Sequence, residues 1–192
     1  MSLFDNRYPE AADIVVGTLS DAKSNYRHFQ AVISIEDVGF DAGLRIPPSE
    51  KTDHLVLSFD DIEYSSVNGR SAQEKHLRYA LEFARKHEDN MLYIHCHAGQ
   101  CRSPAIALAV IADRMGPGRE AEAVDALKVV RRWATPNKLV VELADKVLGR
   151  KGALVEALNA GGNKLTRLGS VTLLKTNASH SAWPKPRFFS LS

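Results

Sequence analysis

Eight consecutive apolar residues, 105–112, would give a helix with no face to offer to water. Such a helix has to lie in the middle of a domain, covered on every side, and this limits what can surround it. Just upstream, the run 91–94 reads as a short buried strand. Between strand and helix lies a polar loop, residues 95–103. Ser103-Pro104 has the form of a helix start, with serine as N-cap and proline at the first helical position, where its missing N–H is not needed. Met115-Gly116-Pro117-Gly118 ends the run.

The remaining segments fit around that core. Runs 14–16, 31–35 and 55–59 are short, rich in β-branched residues and bounded by Gly, Asp or Pro, as buried strands are. A helix is predicted over 21–29 and a loop over 39–52, which holds Pro47-Pro48. Residues 71–89 predict a helix with a capping box, Ser71 and Glu74, and one apolar face from Leu77, Ala80, Leu81 and Ala84. Further helices are expected over 119–133, 137–148 and 151–160, the last ending at Gly161-Gly162. Strands alternating with helices, then a helical second half, predict one α/β domain. Its central sheet should be mostly parallel or mixed, of four to five strands flanked by helices.

At 192 residues the chain can bury a core without disulfide or metal staples. No run approaches the roughly 18 apolar residues of a membrane span. The first residues, with acidic side chains and a proline, lack the basic-then-apolar pattern of a secretory signal, so a cytoplasmic location is expected. The formal charge of +2 is unevenly spread. Residues 163–192 carry Lys164, Arg167, Lys175, Lys185 and Arg187 and no acid; the rest keeps 20 basic against 23 acidic side chains. This is not the footprint of a nucleic-acid binder, and neither nucleic acid nor membrane is expected as a partner. The segment 163–192 reads as a loosely ordered basic tail following a domain over 1–162.

The chemistry concentrates in His95-Cys96-His97-Ala98-Gly99-Gln100-Cys101-Arg102-Ser103. The N–H groups of a tight loop entering a helix N-terminus converge and carry partial positive charge, which suits an anion. Gly99 allows the positive φ and close approach that such a loop needs. The same field stabilises a thiolate at Cys96. Arg102, six residues on, can bring a planar fork to the same centre. A metal site is disfavoured, since Cys96-x4-Cys101 is not a usual zinc spacing and one short loop rarely supplies a full shell. His28, His54, His76 and His87 are read as ordinary surface or helix-face residues.

Cys96-x5-Arg102-Ser103, extended to His95-Cys96-x-Ala98-Gly99-x-x-Arg102-Ser103, resembles the signature loop of the protein tyrosine phosphatase superfamily, in its dual-specificity branch. Asp61, ending the predicted strand and 35 residues before Cys96, is at the position that best matches the family's general acid; Asp60 is the alternative. Pro136-Asn137 before a helix resembles the family's closing helices. The likeness covers about residues 10–150. Cys96-x4-Cys101-Arg102-Ser103-Pro104 is also similar to low-molecular-weight tyrosine phosphatases, but here the loop lies mid-chain and no Asp-Pro dipeptide occurs.

The resemblance implies a catalytic set of Cys96 as nucleophile, Arg102 and the amides of 97–102 as phosphate holders, Asp61 as acid and Ser103 as donor to the sulfur. His95, His97, Ala98, Gly99, Gln100 and Cys101 would complete the phosphate loop, with no metal or other cofactor. The implied partner is a phosphorylated protein or small phosphate ester, with phosphate or sulfate binding in the loop. Residues 97–101 lack Lys and Arg, which disfavours multiply phosphorylated head groups. A phosphate-binding module without turnover, and a phosphatase for a non-protein substrate, are the alternatives. Oxidation of Cys96 to a sulfenic acid, trapped by Cys101 as a disulfide, is a further expectation of the spacing.

Overall fold

The computed structural model describes residues 7–168, with side chains for residues 7–161. Four strands, β1 (Ile14–Gly17), β2 (Ala31–Glu36), β3 (Asp53–Ser58) and β4 (Leu92–His95), form one sheet in the order β1-β4-β2-β3. Every pairing is parallel. The helices are α1 (Leu19–Asn25), α2 (Glu74–Lys86), α3 (Arg102–Met115), α4 (Glu120–Val130), α5 (Lys138–Val147) and α6 (Ala153–Leu168). The expected α/β domain is therefore present, with four strands and no antiparallel member. Among the described residues no helix is long and apolar enough to cross a membrane.

Strand alternation divides the sheet into two faces. Ile33, Ile35, Leu57, Leu92 and Ile94 join the main core, which contains the whole apolar run of α3. That helix packs against α2, α4 and α5, so covering on all sides answers its lack of a polar face. Val32 and Tyr93 point the other way, to a smaller cluster with Ala22, Tyr26, Phe29 and Ile46. β4 is paired on both edges and wholly buried, and its carboxyl end delivers His95 and Cys96 to the rim where ligands of parallel sheets bind.

Helix starts depart from the sequence reading in instructive ways. α1 begins earlier than expected, because Thr18 and Asp21 cap it reciprocally through each other's backbone N–H. α2 is capped by Gln73 with His76, not by Ser71 with Glu74; the Ser71 hydroxyl instead accepts from the Ser66 N–H. α3 starts at Arg102, so Ser103 is not its N-cap. Pro104 is then the third helical residue, still in the first turn, where a missing N–H breaks no helical bond. α6 runs on past Gly161-Gly162 to Leu168. The rest of the expected tail lies outside the described residues.

One close contact sets the geometry at the end of β1. A Cβ on Gly17 would come 1.9 Å from the Tyr93 hydroxyl, which is buried and has no hydrogen-bond partner among the described residues. Gly17→Ala should therefore destabilise the protein by about 2 kcal/mol, the scale of core overpacking. Tyr93→Phe should be neutral or stabilising, since it removes an unsatisfied hydroxyl, and should recover part of the loss in the double variant. Urea unfolding midpoints of the three variants check this, and additive losses would overturn the steric explanation.

Candidate active site

The loop after β4 has no ladder of its own, and its shape is held from outside through its carbonyls. Leu19 N–H donates to the His97 carbonyl at 3.2 Å, and Arg131 Nε donates to that of Gly99 at 3.1 Å. Thr135 N–H donates to the Gln100 carbonyl at 2.9 Å and Asn137 N–H to that of Cys101 at 3.1 Å. In a planar trans peptide the N–H points opposite to the C=O. Turning these carbonyls outward therefore aims the N–H groups of Ala98, Gln100, Cys101 and Arg102 inward, as a nest for an anion. Gly99 makes the turn possible: its φ is +67°, and a Cβ there would come 2.6 Å from the Gly17 carbonyl oxygen.

Cys96 lies at the base, 3% exposed, as a free thiol. Gly99 N–H and the Ser103 hydroxyl both donate to its Sγ, each at 3.3 Å. Two donors on one sulfur suit a thiolate. Arg102 begins α3 and is buried; its Nη1 donates at 2.8 Å both to Asp37 Oδ1 and to the Phe59 carbonyl. Its Nε is buried without a hydrogen-bond partner among the described residues. Half the guanidinium is thus anchored, and a donor remains on the other half. A small pocket beside the sulfur is lined by Leu19, Phe40, Asp37 and His97. Cys101 is half-buried, its Sγ 3.6 Å from Thr135 Oγ1, and burial pushes its thiol upward. Both cysteines are free.

The two adjacent acids have different surroundings. Asp60 Oδ1 accepts from Val38 N–H at 2.8 Å and its Oδ2 from Arg70 Nε at 2.5 Å. Desolvation opposes its ionisation, but the Val38 N–H and the Arg70 guanidinium outweigh it and hold the carboxyl below its ordinary value. Asp61 faces the loop: its Oδ2 is 3.9 Å from Arg102 Nε, and its Oδ1 accepts from Asn137 Nδ2 at 2.8 Å. Of the two, it is Asp61 that the chain brings to the arginine of the loop.

No family model matches the sequence, and no curated protein is a significant match. Solved structures do match. PTPMT1 in complex with PI(5)P superposes with a TM-score of 0.54 at 18% identity, over 74% of this chain and 94% of that one. The human tyrosine phosphatase-like serine/threonine/tyrosine-interacting protein gives 0.55 at 20%, over 70% and 89%. DUSP15 gives 0.54 at 20%, over 77% and 91%. The chain has a dual-specificity phosphatase fold.

Within that phosphatase fold, several residues around the site were invisible to the sequence reading. Asp37 and Asn137 act on Arg102 and Asp61 from distant segments. Asn137, buried as N-cap of α5, also donates to the Ile62 carbonyl and accepts from Val140 N–H. Pro136-Asn137 was the only hint of it. His54 is not a plain surface residue: its Nε2 is 2.7 Å from Ser34 Oγ, which is 2.6 Å from His95 Nε2. His76 is likewise buried, stacked on Phe59. His87 pairs with Asp53 at 2.9 Å.

Burial pushes His95 down to about 4, the Cys96 carbonyl acting in the opposite direction and His54 adding to the fall. The unfolded chain takes up this proton near 6.5 and the folded one only near 4, so the unfolded state binds more protons in between. Stability from this group is complete above about pH 6.5 and is lost as pH falls toward 4, about 3 kcal/mol in all. His54 and His76 are depressed in the same direction by burial. Urea midpoints at pH 7 and 4.5 should therefore drop for the wild type and drop less for His95→Asn. Equal drops would remove His95 as the responsible group.

Proposed function

We propose that this protein hydrolyses phosphate monoesters through a phosphocysteine intermediate, with phosphotyrosine in proteins as the principal substrate and phosphoserine and phosphothreonine as further ones. The observation that carries this reading is the convergence of Gly99 N–H and the Ser103 hydroxyl on Cys96 Sγ inside a ring of inward N–H groups. Cys96 Sγ attacks phosphorus, and the P–O ester bond breaks in line. Arg102 and the amides of 97–102, apart from that of Gly99, which stays on the sulfur, hold the three equatorial oxygens. Asp61 gives its proton to the leaving oxygen. In the second step it takes a proton from the water that attacks phosphorus and displaces the sulfur, breaking the P–S bond, while Ser103 stabilises the departing thiolate. Asp60 is bound to Arg70 and Val38 and instead ties the turn after β2 to the segment after β3.

Two other readings are distinguishable. A binding module would keep the anion nest without turnover, but Cys96, Arg102 and Asp61 are all present here. A phosphoinositide such as the PI(5)P in complex with PTPMT1 carries a charged phosphodiester beside its one phosphomonoester, and no Lys or Arg among residues 97–101 of this chain is there to meet that second charge.

The deciding assay is p-nitrophenyl phosphate hydrolysis with chelator present. Turnover should persist in the wild type, vanish in Cys96→Ser and fall about 100-fold in Asp61→Ala. Full activity in Cys96→Ser would sink the mechanism; an inactive wild type that still binds phosphate would favour the binding module. Asn137 gives a second test. Asn137→Asp keeps an N-cap but sets a carboxylate against Asp61, whereas Asn137→Ala loses the cap and about 1 kcal/mol of stability. Both should slow phenyl phosphate more than p-nitrophenyl phosphate, because the poorer leaving group needs the positioned acid more. Equal slowing of the two substrates would count against that role.

A further inference from the structure

On the sheet face away from α3, three polar side chains from three adjacent strands form a line that ends at the nucleophile. His54 on β3 meets Ser34 on β2, and Ser34 meets His95 on β4, through Nε2 at 2.7 Å and 2.6 Å respectively. The other ring nitrogen of His95, Nδ1, is 3.4 Å from the Cys96 carbonyl oxygen. We infer that Ser34 and His54 are positioning residues of the phosphate loop, acting by fixing His95 as the Nδ1–H tautomer, an inference that rests on the phosphatase reading above.

The direction of the chain follows from counting protons. A carbonyl oxygen only accepts, so His95 meets the Cys96 carbonyl productively only if Nδ1 carries the proton. Neutral His95 then has a bare Nε2, which must accept from the Ser34 hydroxyl. That hydroxyl has one proton, so its oxygen accepts from His54 Nε2–H. The sequence of donors is His54 to Ser34 to His95 to Cys96. In the reverse order Nδ1 would face the carbonyl lone pairs with no proton between them. Burial, which keeps His95 neutral, supports the same assignment. Protonation of His54 fills its Nδ1 and leaves the Nε2–H donor in place, so the order survives it; Arg45 and Asp53 are the charges that bear on that ring.

The consequence reaches the substrate through one peptide plane. Holding the Cys96 carbonyl toward His95 turns the His97 N–H the opposite way, toward the anion nest. The outer ties at His97, Gly99, Gln100 and Cys101 do not reach this first peptide of the loop. His95 does, and Ser34 and His54 determine which of its nitrogens is the donor.

The test reads the tautomer directly. Two-bond proton–nitrogen correlation on the resting, ligand-free protein should show His95 as Nδ1–H in the wild type and with Nε2–H character in Ser34→Ala. With p-nitrophenyl phosphate, kcat/KM should fall about tenfold in Ser34→Ala, less than the loss of a whole oxyanion donor. It should fall about threefold in His54→Phe and stay near wild type in His54→Gln, whose amide can still donate to Ser34. An Nε2–H tautomer in the wild type overturns the inference whatever the enzyme does. So does Ser34→Ala with unchanged tautomer and turnover. Absence of Cys96-dependent turnover in the wild type overturns the phosphatase reading instead, and is seen independently of the nitrogen spectrum.

Discussion

The site depends on where five carbonyls of one loop point, those of Cys96, His97, Gly99, Gln100 and Cys101. A loop whose N–H groups all face one centre is unstable alone, because those donors crowd together with like partial charge and the carbonyls are left to find partners elsewhere. Here the partners come from three separate parts of the chain. Leu19 at the start of α1 takes one carbonyl, His95 faces the first, and the segment from Arg131 to Asn137 takes three more. Each of these contacts does its work at the opposite end of a peptide plane from the anion. The segment after α4 therefore shapes the loop after β4 through the backbone N–H groups of Thr135 and Asn137 and the Arg131 side chain.

The sheet supplies the rigid frame for those contacts. β4 is hydrogen-bonded on both edges, so the strand carrying His95 and Cys96 has little freedom to shift. β1 ends beside it at Gly17, and the absence of a side chain at Gly99 lets the loop backbone approach that of Gly17 to within contact distance. α3 is gripped by α2, α4 and α5, which fixes Arg102 at its first turn. The arginine is then oriented by Asp37, just beyond β2, and by the Phe59 carbonyl, just beyond β3. Thus the carboxyl ends of all four strands contribute a constraint to one small volume, which is why a parallel sheet suits this chemistry.

What could be read from the sequence was local. The strand–loop–helix order around Cys96, the need for Gly99 and the burial of α3 all follow from residues within about twenty positions of one another. Ser103 shows where local reasoning fails: its position before proline has the look of an N-cap, yet its hydroxyl is drawn to Cys96 Sγ and the helix starts two residues sooner. Ser71 repeats the lesson, its hydroxyl taken by Ser66 while Gln73 and His76 cap α2. Capping patterns state what a side chain can do next to its own backbone, and tertiary partners can claim the same atoms. Ser34, Asp37, His54 and Asn137 were beyond reach for another reason. Their partners lie 20 to 76 positions away and meet only once strand order and register are fixed.

Asp60 and Asp61 make the physical distinction most clearly, since the sequence offered them as near equals. Asp60 is tied to a guanidinium and a backbone N–H, partners that favour its charged form and keep it occupied. Such a carboxylate is an anchor: it joins the turn after β2 to the loop after β3, and losing its charge would loosen both. Asp61 is held by the amide of Asn137, a neutral donor that positions a carboxyl whether or not the carboxyl carries a proton. The role proposed for Asp61, giving a proton in one step and taking one in the next, is served by a partner of that kind. The two acids lie just past β3, where the chain bends, and their side chains go to different partners. The turn that follows β3, closed by Ile62 N–H donating to the Asp60 carbonyl at 2.9 Å, decides which: it sets Asp61 beside Arg102 and Asn137 and leaves Asp60 with Arg70 and Val38.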